Sequence, residues 1–248
     1  MEIGSLAHKV SMEFISTMVF HIIGSICPTA IANGLALIVM VYYSAKISGG
    51  HLNPAVSFTF FILGHINMIE FFAYMVSQFS GAIVGGLFIA ALMPNMNVGD
   101  DNNTTTGCFA PIKELSNGRV FFWEFLFTTM FIIPIFSVVW YTQNKNGYGN
   151  TGPIIVGLSL FSNALACGPY TGASLNPARS LGSYTVFHCE YRDVYTYVLG
   201  EFLGGLCAAF FIMPWYGISS TAWYRENLSS MIPYVTSGSK NNIEIRTL

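Results

Sequence analysis

Hydrophobic residues gather into six long runs, at about 11–27, 31–47, 70–92, 120–141, 153–168 and 195–217. A bilayer-spanning helix needs about 20 mostly apolar residues, and each run meets or approaches that length. Two further apolar pieces follow Asn53 and Asn176, from Pro54 to Gly64 and from Pro177 to Phe187. At about ten residues each they are too short to cross alone. Such pieces are tolerated at membrane depth only when buried in protein or lining a wet cavity. Two of them in matching places are a strong pointer to a transport site. The pattern predicts an all-α membrane protein with six transmembrane helices and two re-entrant half-helices. The polar connections are 93–119 and 142–152. The expected organisation is an N-terminal segment 1–10, a channel domain 11–217 and a C-terminal tail 218–248.

Composition narrows the class. The chain has 248 residues, 53% hydrophobic and 9% charged, against about 25% charge in an ordinary soluble domain. Mean hydropathy is +0.54. Ten Lys+Arg against twelve Asp+Glu give a net charge of −2 and no basic stripe, so nucleic acid is not an expected partner. The apolar content excludes disorder. The first run holds Glu13 and His21, which suit a spanning helix better than a cleaved leader. Five cysteines lack metal spacing and read as small packing residues. A disulfide between Cys108 and Cys189 is the alternative for two of them.

The chain repeats itself. Residues 48–57 align with 171–180 at an offset of 123, with six of ten pairs identical. The same offset carries Gly34-Leu35 onto Gly157-Leu158, and Gln78-Phe79-x-Gly81 onto Glu201-Phe202-x-Gly204. Glu13-Phe14-x-x-Thr17 recurs as Glu124-Phe125-x-x-Thr128 at an offset of 111. Repeat one covers about 11–92 and repeat two about 120–217. Each holds three spans and one half-span. Three is odd, so the second copy enters from the opposite side and the repeats are inverted. Both termini then share a face. Placing them in the cytoplasm puts Lys9, Lys46, Lys145, Arg225, Lys240 and Arg246 inside, and Lys113, Arg119 and Arg192 outside. The excess of inner positive charge supports that orientation.

Inverted half-spans point their N-terminal ends at one another near the midplane. Pro54 and Pro177 suit the first helical turn, where the missing N–H would be unpaired anyway. Asn53 and Asn176 suit the N-cap, which leaves their amide NH2 groups free to donate into a lumen. Each helix start adds about half a positive charge. Water passing such a point turns its oxygen toward the donors, which interrupts a proton-hopping chain, and the positive ends repel cations. The expectation is passage of neutral molecules and refusal of ions.

The motifs His51-Leu52-Asn53-Pro54-Ala55-Val56 and Leu175-Asn176-Pro177-Ala178-Arg179-Ser180, with the duplicated Glu-Phe-x-x-Thr entries, resemble the major intrinsic protein family of aquaporins and aquaglyceroporins. The resemblance covers about residues 10–217. It implies an aquaporin-like fold, a homotetramer with one pore per subunit, and a passive channel with no cofactor, no metal and no catalytic residues. Its partners are water, small neutral solutes and the lipid bilayer. The plasma membrane is the expected location. Glu13 and Glu124 are implied to hold the half-span loops through hydrogen bonds, helix-end residues reaching an interface being the bland alternative. Arg179 is implied to belong to an outer filter, where an always-charged fork of donors orders hydroxyls and rejects cations.

Counting from the motifs puts the other filter positions at Asn33, Ala164 and Ala173. Water-selective members usually carry an aromatic and a histidine there, and glycerol facilitators carry bulky aromatics. This set has neither. It predicts a wider opening that passes water together with glycerol or urea. Ser180 resembles the water-channel pattern instead, so a strictly water-selective channel is the alternative. A non-conducting junction or adhesion protein is another. Asn33 facing a neighbouring helix is the competing reading of that position. His51 lines the cytoplasmic mouth or packs in the core. His21 and His65 read as packed residues. Gly81, Gly85, Gly86, Gly204 and Gly205 read as close helix crossings. Asn102 and Asn103 begin glycosylation sequons in a loop placed outside.

Overall fold

The computed structural model describes residues 5–94, 107–143, 149–189 and 194–216. Eight α-helices follow in order: α1 (Leu6–Ile26), α2 (Ala30–Ser48), α3 (Pro54–Ile62), α4 (Met68–Leu92), α5 (Asn117–Gln143), α6 (Gly152–Thr171), α7 (Pro177–Phe187) and α8 (Val194–Tyr216). A single 3-10 turn, Gly149–Thr151, leads into α6. No strand occurs among the described residues. Among the described residues, six helices are long and apolar enough to cross a membrane. The short helices α3 and α7 have nine and eleven residues. At a rise of about 1.5 Å per residue each reaches roughly halfway across a hydrocarbon layer of about 30 Å.

Helix ends are set by local capping. Ser5 accepts from the His8 N–H, so α1 begins at Leu6. Residues 6–10, expected to lie outside the first span, are therefore helical. Lys9 in this turn pairs with Glu70 at 2.7 Å. Thr29 caps α2, and Asn67 with Glu70 forms a reciprocal box at the start of α4. Helices α2 and α6 end on Gly49 and Gly172, at φ 95° and 85°. These glycines are repeat equivalents, and the left-handed cap turns the chain into each half-span loop.

The two repeats interlock. Within repeat one α1 packs on α2 and α4; within repeat two α5 packs on α6 and α8. Helices α2 and α6 meet across the boundary. Each half-helix rests heavily on a long helix of the other repeat, α3 on α8 and α7 on α4. Small residues allow this. A Cβ at Gly205 would stand 2.8 Å from the Ala55 carbonyl, and one at Gly182 would stand 2.7 Å from the Ala82 Cβ. Gly81 and Gly204 meet the Phe14 and Phe125 carbonyls at 2.5 and 2.6 Å on the same test, so they are close crossings. The outward face is apolar, with Val39, Ile69, Phe72, Val76, Phe122 and Trp215 exposed. Glu13, Glu124, Glu201, Gln78 and Arg179 are buried instead. Apolar outside and polar within is the arrangement a bilayer solvent selects.

Candidate functional site: a paired-asparagine junction and two cavities

Asn53 and Asn176 cap their half-helices as their position demands. Each Oδ1 accepts the N–H two residues on, from Ala55 at 2.9 Å and from Ala178 at 3.0 Å. Pro54 and Pro177 occupy the first helical turns. The amide nitrogens cross between repeats: Asn53 Nδ2 donates to the Leu175 carbonyl at 2.7 Å, and Asn176 Nδ2 donates to the Leu52 carbonyl at 2.8 Å. This corrects the expectation that both amides are wholly free. One N–H of each is committed to the opposite loop, which leaves the second. Both asparagines line one cavity of about 260 Å³, with Leu52, His51, Ser174 and Leu175.

Two strained leucines shape the junction. Leu52 and Leu175 adopt φ 53° and 52°, a left-handed conformation costly for a branched side chain. Buried carboxylates hold them there. Glu13 accepts from Leu52 N at 2.7 Å, His51 N at 3.0 Å, Ser48 Oγ at 2.6 Å and Gln78 Nε2 at 2.8 Å. Glu124 accepts from Leu175 N at 2.9 Å and Thr171 Oγ1 at 2.6 Å. Tyr74 and Tyr197, also 123 residues apart, donate to the Ser48 and Thr171 carbonyls.

Glu201 is a further site residue that the motifs do not mark; its one signal in the sequence is the alignment with Gln78. It accepts from Asn176 N at 3.0 Å and from Ser180 Oγ at 2.8 Å, both on Oε1. Gln78 takes the mirrored position, donating to Ser57 Oγ at 2.9 Å.

Asn33, Ala164, Ala173 and Arg179 come together on a second cavity of about 390 Å³. Asn33 Nδ2 donates to the Thr29 carbonyl at 3.0 Å and the Gly24 carbonyl at 3.3 Å. A Cβ at Gly24 would lie 2.3 Å from Asn33 Oδ1 and 2.8 Å from Arg179 Nη2, so both side chains close over that glycine. Asn33 thus touches its neighbouring helix and borders the chamber at once. None of these four positions carries an aromatic, but two rings from elsewhere in the chain reach the arginine. The Arg179 guanidinium carbon lies 4.7 Å from the Phe20 ring centroid and 4.8 Å from that of Phe109. Phe20 belongs to the lining of the first cavity and Arg179 to that of the second, so this contact links the two linings.

His51 lines the first cavity, its Nδ1 3.0 Å from Ser57 Oγ and its ring against Phe60 and Tyr74. It is thus both packed and cavity-facing. His21 is fully buried, with neither ring nitrogen hydrogen-bonded. Cys108 and Cys189 form a disulfide with Cα atoms 5.6 Å apart, which settles those two against simple packing. Asn102, Asn103 and the tail 218–248 lie outside the described residues. No group of three metal-ligating side chains occurs among the described residues.

Six candidate spans, two half-helices joined through paired asparagines and a cavity lined by a buried arginine are the features of a membrane channel. The major intrinsic protein family model matches residues 6–212, and the chain belongs to that family. It is 30% identical to probable aquaporin PIP2-8 of Arabidopsis thaliana, covering 92% of this chain and 89% of the relative. It is 36% identical to aquaporin TIP2-1 of Zea mays over 71% of this chain and 66% of that one. The X-ray structure of the aquaglyceroporin from Plasmodium falciparum shares the fold, with a TM-score of 0.73 at 22% identity, covering 84% of this chain and 96% of that one. The chain is an integral membrane channel, not an enzyme.

Proposed function

We propose that the protein is a passive channel for water and small neutral solutes such as glycerol and urea, and that it excludes protons and ions. One observation carries the reading: Asn53 and Asn176 exchange hydrogen bonds across the repeats and line the same cavity. Two helix N-termini face that cavity, each with about half a positive charge. The remaining amide N–H groups orient a water oxygen inward, so adjacent waters point apart and proton hopping is interrupted. Arg179, Asn33, Ala164 and Ala173 act as the outer filter, where the guanidinium repels cations and the alanines leave room for a polyol or an amide. Glu13 and Glu124 act as scaffold for the two loops. His51 lines the inner mouth.

Both termini are cytoplasmic in this reading, and the protein works as a homotetramer in the plasma membrane. The Cys108–Cys189 disulfide supports the orientation, because it joins loops on the face opposite α1's start, and disulfides persist on oxidising faces. The channel domain is 11–217 with flanking segments on the cytoplasmic side. The test is a solute panel on purified protein in liposomes, read by stopped-flow light scattering. Reswelling in glycerol and urea gradients, absent in empty vesicles, supports the reading. Water flux without reswelling makes the channel water-selective, and no flux from folded protein makes it a non-conducting member.

A further inference from the structure

We propose that Phe109 is a specificity-determining residue of the outer filter, held there by the Cys108–Cys189 disulfide. The inference rests on the channel reading above and deepens it. Phe109 is far in sequence from the motifs that locate the other filter residues, yet its buried ring stands 4.8 Å from the Arg179 guanidinium carbon. It lines the same chamber as Asn33, Ala164, Ala173 and Arg179. Asn33, Ala164 and Ala173 are small, and the ring adds bulk to that wall beside the guanidinium.

Three fastenings put the ring there. Cys108, its chain neighbour, is bonded to Cys189, two residues beyond the end of the half-helix whose first turn carries Arg179. Gly107 lies against the same helix end: a Cβ there would meet the Phe187 ring at 2.6 Å, and its φ of +85° suits glycine. On the other side the loop rests on the segment that carries Ala173, with Phe109 Cα 3.4 Å from where a Gly172 Cβ would sit, and Ile112 N donating to the Tyr170 carbonyl at 2.9 Å. The disulfide therefore clamps loop and arginine helix into one body. A ring beside the guanidinium presents an apolar wall next to directional donors. A polyol or amide matches that pair with a carbon face and polar edges, and the ring's bulk limits solute width.

The experiment compares water, glycerol and urea permeabilities of the full chain in liposomes for the parent, Phe109→Ala, Phe109→Leu and the double variant Cys108→Ser/Cys189→Ser. The expected result is a solute-to-water permeability ratio raised about threefold or more in Phe109→Ala, with a smaller rise in Phe109→Leu and in the double serine variant. Dithiothreitol added to the parent reduces the bridge to two thiols and becomes the cyclic disulfide itself. It should reproduce the double-serine shift and leave that variant unchanged, a readout independent of whether Phe109→Ala folds. Unchanged ratios in Phe109→Leu and in reduced parent, with parent flux well above empty vesicles, overturn this inference alone. Parent flux equal to empty vesicles overturns the channel reading and this inference with it.

Discussion

Gln78 and Glu201 occupy equivalent places 123 residues apart, yet one is an amide and the other a carboxylate. Gln78 donates to Glu13 Oε2 at 2.8 Å and so joins its buried carboxylate. Glu201 has no proton to offer in that way when ionised. Its Oε2 is buried without a hydrogen bond, in the same polar cluster as Glu124. An unsatisfied buried polar atom costs about 1–3 kcal/mol. Glu201→Gln supplies the missing donor and restores the symmetry of the cluster. The expected outcome is a variant more stable by about 1–2 kcal/mol, with water flux retained. Thermal unfolding in detergent checks it, and a lowered midpoint contradicts it.

Glu13 is the opposite case, because four donors converge on it. Glu13→Ala strands them in the core and releases Leu52 from its left-handed conformation. Removing one side of such a buried network costs about 3–5 kcal/mol. Little monodisperse protein should survive size-exclusion chromatography. Glu13→Gln keeps the shape and accepts fewer donors, so it should fall between alanine and parent.

Asn176→Asp separates capping from donation. The carboxylate still accepts from Ala178 N, so α7 keeps its cap. It can no longer donate to the Leu52 carbonyl, and it places negative charge at the positive end of α7. Cation or proton leak should rise by roughly tenfold over the parent, read with a pH dye trapped in the vesicles.

His65 gives a pH prediction. It lies in the connection between α3 and α4, packed against Phe136 and Phe60, with Nε2 unbonded. Burial lowers its pKa below the usual 6.5. The folded chain holds the ring neutral while the unfolded chain takes up a proton. Stability therefore falls as pH drops from 6.5 toward the lowered value, and this contribution is flat below that. Unfolding midpoints across this range should slope less in His65→Leu than in the parent.

The helices were legible because a bilayer imposes length and polarity on every span. The run from Pro177 to Phe187 matches α7 residue for residue. Ends governed by a single cap were harder, as at Ser5, where a lone side-chain oxygen adds a turn that hydropathy does not reveal. The junction was legible because duplication marked it. The cross-repeat bonds of its amides were not, since nothing in the spacing says that each loop's carbonyl turns toward the other asparagine. Phe20 and Phe109 escaped for a different reason. They reach Arg179 from another helix and from a loop with no repeat counterpart, so counting from the motifs cannot find them. The disulfide depends on the same loop approach.

The most direct measurement follows water and proton movement together in vesicles carrying the purified chain and a trapped pH dye, under an osmotic step and a pH step. The expected result is shrinkage at least about tenfold faster than in empty vesicles, with no added proton flux. Shrinkage at the rate of empty vesicles from folded protein, or dye response that rises with protein content, would contradict it.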